Sequence, residues 1–153
     1  MLRFTLITLA LVLPTTAWSQ EVDAKKLAQT ILDQGSAMYD TKNAAAMAAT
    51  YTDDAKIFWY SKKDSGEVEL GTKSGRAEIE GIYRDLFKDP NEKTTSKNSV
   101  EYARFIAPDL MIVQGIFQPN VANPGKFPFV QLRIKEGDKW LMKTLQFFVV
   151  SQD

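Results

Sequence analysis

Apolar and polar positions along the chain first repeat at helical spacing and then alternate in long runs. From Ala24 to Tyr39, Leu27, Ile31 and Met38 recur with Ala24, Ala28, Leu32 and Tyr39 on one face. This predicts a helix capped at Asp23 and running to about Lys42. Gly35 lies inside that apolar face, costs a helix up to ~1 kcal/mol relative to alanine, and is expected to mark a helix-packing contact. Asn43 is the expected cap of a second, alanine-rich helix from Ala44 to Tyr51. Asp53-Asp54 then turns the chain into Lys56-Ile57-Phe58-Trp59-Tyr60, whose aromatic and β-branched content reads as a strand.

Ser61 to Gly66 is turn-like, Glu67 to Leu70 a short strand, and Gly71 to Gly75 a second turn. A further helix starts at Ser74 or Gly75, with Glu78 favourably placed in its first turn. It carries an apolar stripe of Ile79, Ile82, Tyr83, Leu86 and Phe87, and stops at Pro90. Four strands follow: Lys93 to Ala107, Leu110 to Gln118, Phe127 to Glu136 and Lys139 to Val150. Pro108-Asp109, the 119–126 loop and Gly137-Asp138 separate them. Consecutive long strands favour an antiparallel meander, and helices placed before a large sheet define an α+β class with the helices on one face.

The amino terminus has a different pattern. Arg3 is the only charge in the first 19 residues, Phe4 to Leu13 is apolar or uncharged, and Ala17-Trp18-Ser19 follows Pro14. This is the pattern of a secretory signal cleaved after Ser19, since the run falls short of the ~20 residues of a membrane span. Residues 20–153 then form one exported domain, periplasmic or secreted, of 153 − 19 = 134 residues. With Arg3 removed, 18 basic residues face 19 acidic ones. A charge of −1 without a basic cluster argues against nucleic acid or anionic membrane as the main partner. No cysteine is present, so an exported domain must rely on its core rather than on disulfides. The lack of histidine excludes Ser-His-Asp and Cys-His nucleophile systems and histidine-based metal sites. No cofactor or metal is called for.

Acid–base chemistry is thereby left to Asp, Glu, Tyr, Lys or water, with Asp53, Asp54, Tyr39 and Tyr60 as the available groups. Asp53 and Asp54 could act as a carboxylate pair, or join Glu67 or Glu69 around a hard cation. The favoured reading is structural: aspartate suits a chain turn, and Arg76, which could instead hold an anionic ligand at a helix start, is expected to bridge to a carboxylate such as Asp53 or Asp54. Tyr39, Tyr51, Trp59, Tyr60, Tyr83 and Tyr102 combine an apolar body with a polar edge and suit either a pocket wall or an ordinary core. Gln114, Gln131 with Arg133, and Gln146 interrupt apolar strands. They either line a wet cavity or point to solvent, because strand alternation alone does not say which face is inside. Trp140 reads as core, with Trp140→Ala costing ~3–5 kcal/mol.

The order of helix, short helix, Tyr51-Thr52-Asp53-Asp54-Ala55, strand, Gly75-Arg76-x-x-Ile79-x-x-x-Tyr83 and a meander ending Glu136-Gly137-Asp138-Lys139-Trp140 resembles the nuclear-transport-factor-2-like superfamily. Within it, the chain is most similar to the SnoaL-like and ketosteroid-isomerase-like group, over essentially the whole of residues 20–153. The resemblance implies an α+β cone, in which a strongly bent antiparallel sheet packs against amino-terminal helices around a pocket. It also implies pairing of two copies through the sheet. The steroid-isomerase chemistry of that group uses an aspartate base with a tyrosine and a protonated acid. Those roles fall at about Trp59, at about Gly35, and in the apolar Phe127 to Val130 segment, so that chemistry is not expected.

The expected function is binding of a small hydrophobic or amphipathic molecule, in a pocket lined by Tyr39, Tyr51, Trp59, Tyr83, Tyr102, Gln114, Gln131 and Gln146. A SnoaL-like lyase, cyclase or isomerase and a dimeric interaction domain are the alternatives.

Overall fold

The structure is a computed structural model that describes residues 16–63, 65–88, 95–119 and 125–149. Helix α1 (Thr16–Asp40) is followed by the short α2 (Ala44–Ala48) and the hairpin β1 (Tyr51–Lys62) and β2 (Val68–Ser74). Then come α3 (Arg76–Leu86) and the strands β3 (Lys97–Ala107), β4 (Leu110–Gln118), β5 (Phe127–Glu136) and β6 (Lys139–Val149). The six strands form one sheet in the order β2-β1-β6-β5-β4-β3. The meander from β3 to β6 is antiparallel as expected, but β1 joins its edge alongside β6 in parallel. The sheet is therefore mixed at that one seam.

Several element limits differ from the sequence reading. The first helix begins at Thr16, so Asp23 is an exposed residue within it rather than its cap. Most of the expected signal segment lies outside the described residues, and no described helix is long and apolar enough to cross a membrane. Asn43 does cap α2, its side chain accepting from the Ala46 amide at 2.9 Å. That helix ends early, and Tyr51 already pairs with Met142 on β6. Strand β2 runs through Gly71 to Ser74 because the Trp59 ring lies across Gly71, its cross-strand partner. A Cβ on Gly71 would sit 1.9 Å from Trp59 Cε2. Here glycine admits a ring rather than forming a turn.

The cone shape follows from interruptions in the ladder. Register shifts fall between Val100 and Tyr102, between Phe105 and Ala107, between Leu132 and Arg133, and between Tyr51 and Lys56. Each such irregularity adds local twist and bends the sheet. The helices cover the concave face, where Ile57, Val100, Ala103, Met111, Val113, Phe129, Met142 and Leu145 are buried. Ala24, Ala28 and Leu32 pack α1 against the sheet, and the small size of the two alanines permits the close approach. Beyond packing, α1 closes the sheet's open edge at β3. The Gln29 side chain donates to the Asn98 carbonyl and accepts from the Val100 amide, both at 2.9 Å. On α3, Ile79, Tyr83 and Phe87 are buried, whereas Leu86 is 55% exposed and leaves the expected stripe.

Candidate functional site

Side chains on the concave face form three cross-strand rows. Trp59, Phe147, Phe129, Gly115 and Val100 make the first row, and Ile57, Leu145, Gln131, Val113 and Ala103 the second. Tyr51, Met142, Arg133, Met111 and Phe105 make the third. The β1, β6 and β5 members of these rows form the floor of a cavity of about 1220 Å³ roofed by α1, α2 and α3. That exceeds the ~300–1,000 Å³ of ordinary small-molecule sites. Leu27, Ile31 and Met38 are only half-buried because they border this space. Gly35 also borders it, with nothing within 4 Å of where a Cβ would lie, so it enlarges the cavity and is not a helix-packing contact.

The expected pocket residues divide by face. Tyr39, Tyr51, Trp59, Tyr83 and Gln131 line the cavity. Tyr102, Gln114 and Gln146 do not: they share one row on the convex face, Phe58–Gln146–Val130–Gln114–Tyr102. Gln114 is exposed there and Gln146 half-buried. Tyr60 is on the same outer side, stacked on Phe148 at 5.2 Å between centroids. The cause is strand parity: each of these residues is one position out of phase with the concave set. Trp140, expected in the core, is partly buried and packs against it at the cavity's end, its ring centroid 5.8 Å from that of Phe105.

The acidic hinge is structural. Arg76 donates through Nε and Nη2 to the Tyr51 carbonyl, at 3.2 and 2.7 Å, and through Nη1 to Asp53 at 2.7 Å. It ties the start of α3 to the bulged start of β1, as the sequence led one to expect. Asp54 takes hydrogen bonds from Lys143 and from the Thr52 hydroxyl, which hold its carboxyl below the usual range. Both carboxylates are exposed and outside the cavity. Glu67 and Glu69 face Lys63 on the β1–β2 hairpin, so the four acids are not gathered around one point. Among the described residues, no group of acids is arranged to hold a metal ion.

The polar chemistry of the interior is instead made by two tyrosines, a glutamine and an arginine. The Tyr51 and Tyr83 hydroxyls share a hydrogen bond of 2.6 Å, and both residues are buried. Burial pushes the Tyr83 phenol up to about 12, and burial together with the neighbouring phenol raises Tyr51 well above its usual value. Both are therefore neutral hydrogen-bonding groups and not bases at ordinary pH. Tyr39 packs edge-on to Tyr83, Phe87 and Phe117, closing one wall.

Arg133, only 5% exposed, donates through Nε to Gln131 Oε1 at 2.9 Å and through Nη1 to the Trp140 carbonyl at 3.2 Å. Burial draws its pKa down to about 10, so it stays charged at neutral pH. Sequence reasoning saw Arg133 interrupt an apolar strand without assigning it to the site. Its signal was the two-residue spacing from Phe129 and Gln131, which puts all three on one face.

No family model and no curated protein matches this chain in sequence. Solved structures match it in shape. An NTF2-like protein of unknown function from Pseudomonas putida KT2440 superposes with a TM-score of 0.64 at 10% identity, covering 84% of this chain and 88% of that one. An NTF2-like protein of unknown function from Shewanella oneidensis MR-1 gives 0.57 at 14% identity, over 89% and 99%. A domain of unknown function with a cystatin-like fold from Nostoc punctiforme gives 0.63 at 13% identity, over 85% and 79%. The chain thus has the nuclear-transport-factor-2-like α+β fold read from its motif order, described as cystatin-like in one of these matches. At such identities the likeness establishes fold alone, and activity must be argued from the site.

Proposed function

We propose that this chain is an exported binding protein that holds one small hydrophobic or amphipathic molecule in its cavity. The observation that carries the reading is the cavity wall: Leu27, Ile31, Met38, Trp59, Phe117 and Phe147 supply apolar surface, with polar groups confined to a few positions. Apolar walls with a few convergent polar groups are what a small-molecule site requires.

Acid–base catalysis is the weaker reading. Among the described residues, the carboxylates at the cavity are Asp85, paired with Lys88 at 3.0 Å, and Asp138 in the β5–β6 turn. Neither sits among the buried polar groups, and the tyrosines there are held neutral. Export rests on the amino-terminal signal pattern, and a mature protein starting at Gln20 in intact-mass analysis is the expected result.

Thermal denaturation against panels of lipids, steroids, polyketides and aromatic acids tests the binding. A ligand at about a hundred times its Kd stabilises the fold by about 2.7 kcal/mol, which is a rise of several degrees in Tm. No shift with any class would overturn the proposal.

Pairing of two copies is a second reading, favoured by the convex face. Phe58, Val130, Ile112, Ile116 and Leu132 are only half-covered there by their neighbours. Such a surface suits a self-complementary dimer contact. Sedimentation should give a dimer at micromolar concentration; a monomer would remove this part.

A further inference from the structure

Arg133 stands out from the other interior groups because its charge has no opposite partner. Among the described residues no carboxylate lies within ion-pair distance of it. Its acceptors are both neutral: an amide oxygen and a backbone carbonyl. A guanidinium carries five N–H donors. The two contacts use Nε and one hydrogen on Nη1, leaving the other Nη1 hydrogen and both on Nη2. Burying an unpaired cation is costly, and buried charges are ordinarily paired. This one is also set in the cavity floor, in one cross-strand row with Tyr51.

The tyrosine pair points the same way. Two phenols hold two protons, and the 2.6 Å contact between them uses one. The other is not used by that contact, and the charge of Arg133 acts on both phenols. The result is a cluster of donors on the floor of an apolar chamber, with an accepting group wanting.

We propose that the cavity is selective for an amphipathic acid, whose carboxylate lies on the free edge of Arg133 beside the Tyr51–Tyr83 pair and whose apolar body lies along Trp59, Phe129 and Phe147. The proposal rests on the binding reading above and adds the charge of the ligand to it. A planar carboxylate can take two parallel N–H donors from guanidinium, a geometry that an alcohol cannot match and an amine opposes. The aromatic row next to Gln131 supplies the surface against which an alkyl or aryl body would be buried.

A matched set of probes tests this: decanoate, decanol and decylamine, each titrated calorimetrically into the whole protein at neutral pH. The acid is expected to bind about tenfold or more tighter than the alcohol, and the amine weakest. Arg133→Met should abolish the preference for the acid, bringing decanoate and decanol to within about threefold of each other. Arg133→Lys, which keeps the charge but loses the fork, should retain only part of it. Equal binding of acid and alcohol by the native protein overturns the proposal and leaves the binding reading standing. An acid preference that persists in Arg133→Met also overturns it. If none of the three probes binds, this proposal falls, while the binding reading is decided by the wider thermal panel. The native comparison of acid with alcohol stays decisive even where a variant does not fold.

Discussion

Replacing Arg133 with methionine should leave the fold almost as stable as it is now, an unusual outcome for a buried charged residue. Burial moves the guanidinium from its ordinary value down to about 10. At about 1.4 kcal/mol per pKa unit, keeping the cation inside at neutral pH costs about 3 kcal/mol. The sign follows from linkage. The unfolded chain holds this proton more tightly than the folded one, so the cost is fully present below about pH 10 and fades as pH rises through the folded pKa.

Methionine removes that cost and keeps most of the side-chain volume in the row between Met142 and Met111. Against this, two hydrogen bonds are lost, and the Gln131 oxygen and Trp140 carbonyl lose their donor. At about 1–1.5 kcal/mol each, that returns about 2–3 kcal/mol. The net change expected in urea unfolding is within about 1 kcal/mol of zero, read as a midpoint shift at constant slope. Truncating one member of a true buried ion pair costs about 3–5 kcal/mol. A loss of that size would show that Arg133 has a compensating charge in the fold, and the unpaired-cation argument would fail with it.

Other substitutions test the architecture around the site. Gly71→Ala places a methyl 1.9 Å from the Trp59 ring and should cost about 1–3 kcal/mol in urea unfolding. A second change, Trp59→Leu, should recover most of that loss; no rescue would mean that the ring does not set the requirement. Gly35→Ala meets nothing within 4 Å and should stabilise α1 by up to about 1 kcal/mol, seen as a higher Tm; destabilisation would refute an open space there. Asp54→Asn should lower stability at neutral pH by a small amount. Because the folded carboxyl lies below its usual 3.8, its contribution is present above that value and lost as pH falls through the folded pKa. The variant and native curves should therefore converge in acid, and parallel curves would show that the bond to Lys143 adds nothing.

How far the sequence reaches is clearest from individual residues. The limits of β4 and β5 and the capping role of Asn43 follow from local chemistry, and all are found as read. So is the tie between Arg76 and the acidic hinge, which needs only two oppositely charged ends of neighbouring elements. The family resemblance, carried by motif order, set the cone and the cavity in advance. Tyr51 was read as the end of a helix because its alanine-rich approach favours helix. Only the parallel seam with β6 makes it the first residue of a strand.

The division of Gln131 from Gln114 and Gln146 lay beyond reach, although all three interrupt similar apolar runs. A strand's period of two separates its faces but is blind to which one a helix will cover, and irregularities in the ladder reset the phase between neighbouring strands. The sequence by itself therefore determined the elements, their order and the α+β class, because propensity, capping and periodicity act over a few residues. Which side chains face the cavity, and that a buried cation lies among them with no carboxylate partner among the described residues, was decided by the tertiary structure. Burial depends on what packs against a face, and that is supplied by α1 and α3, far away in the chain.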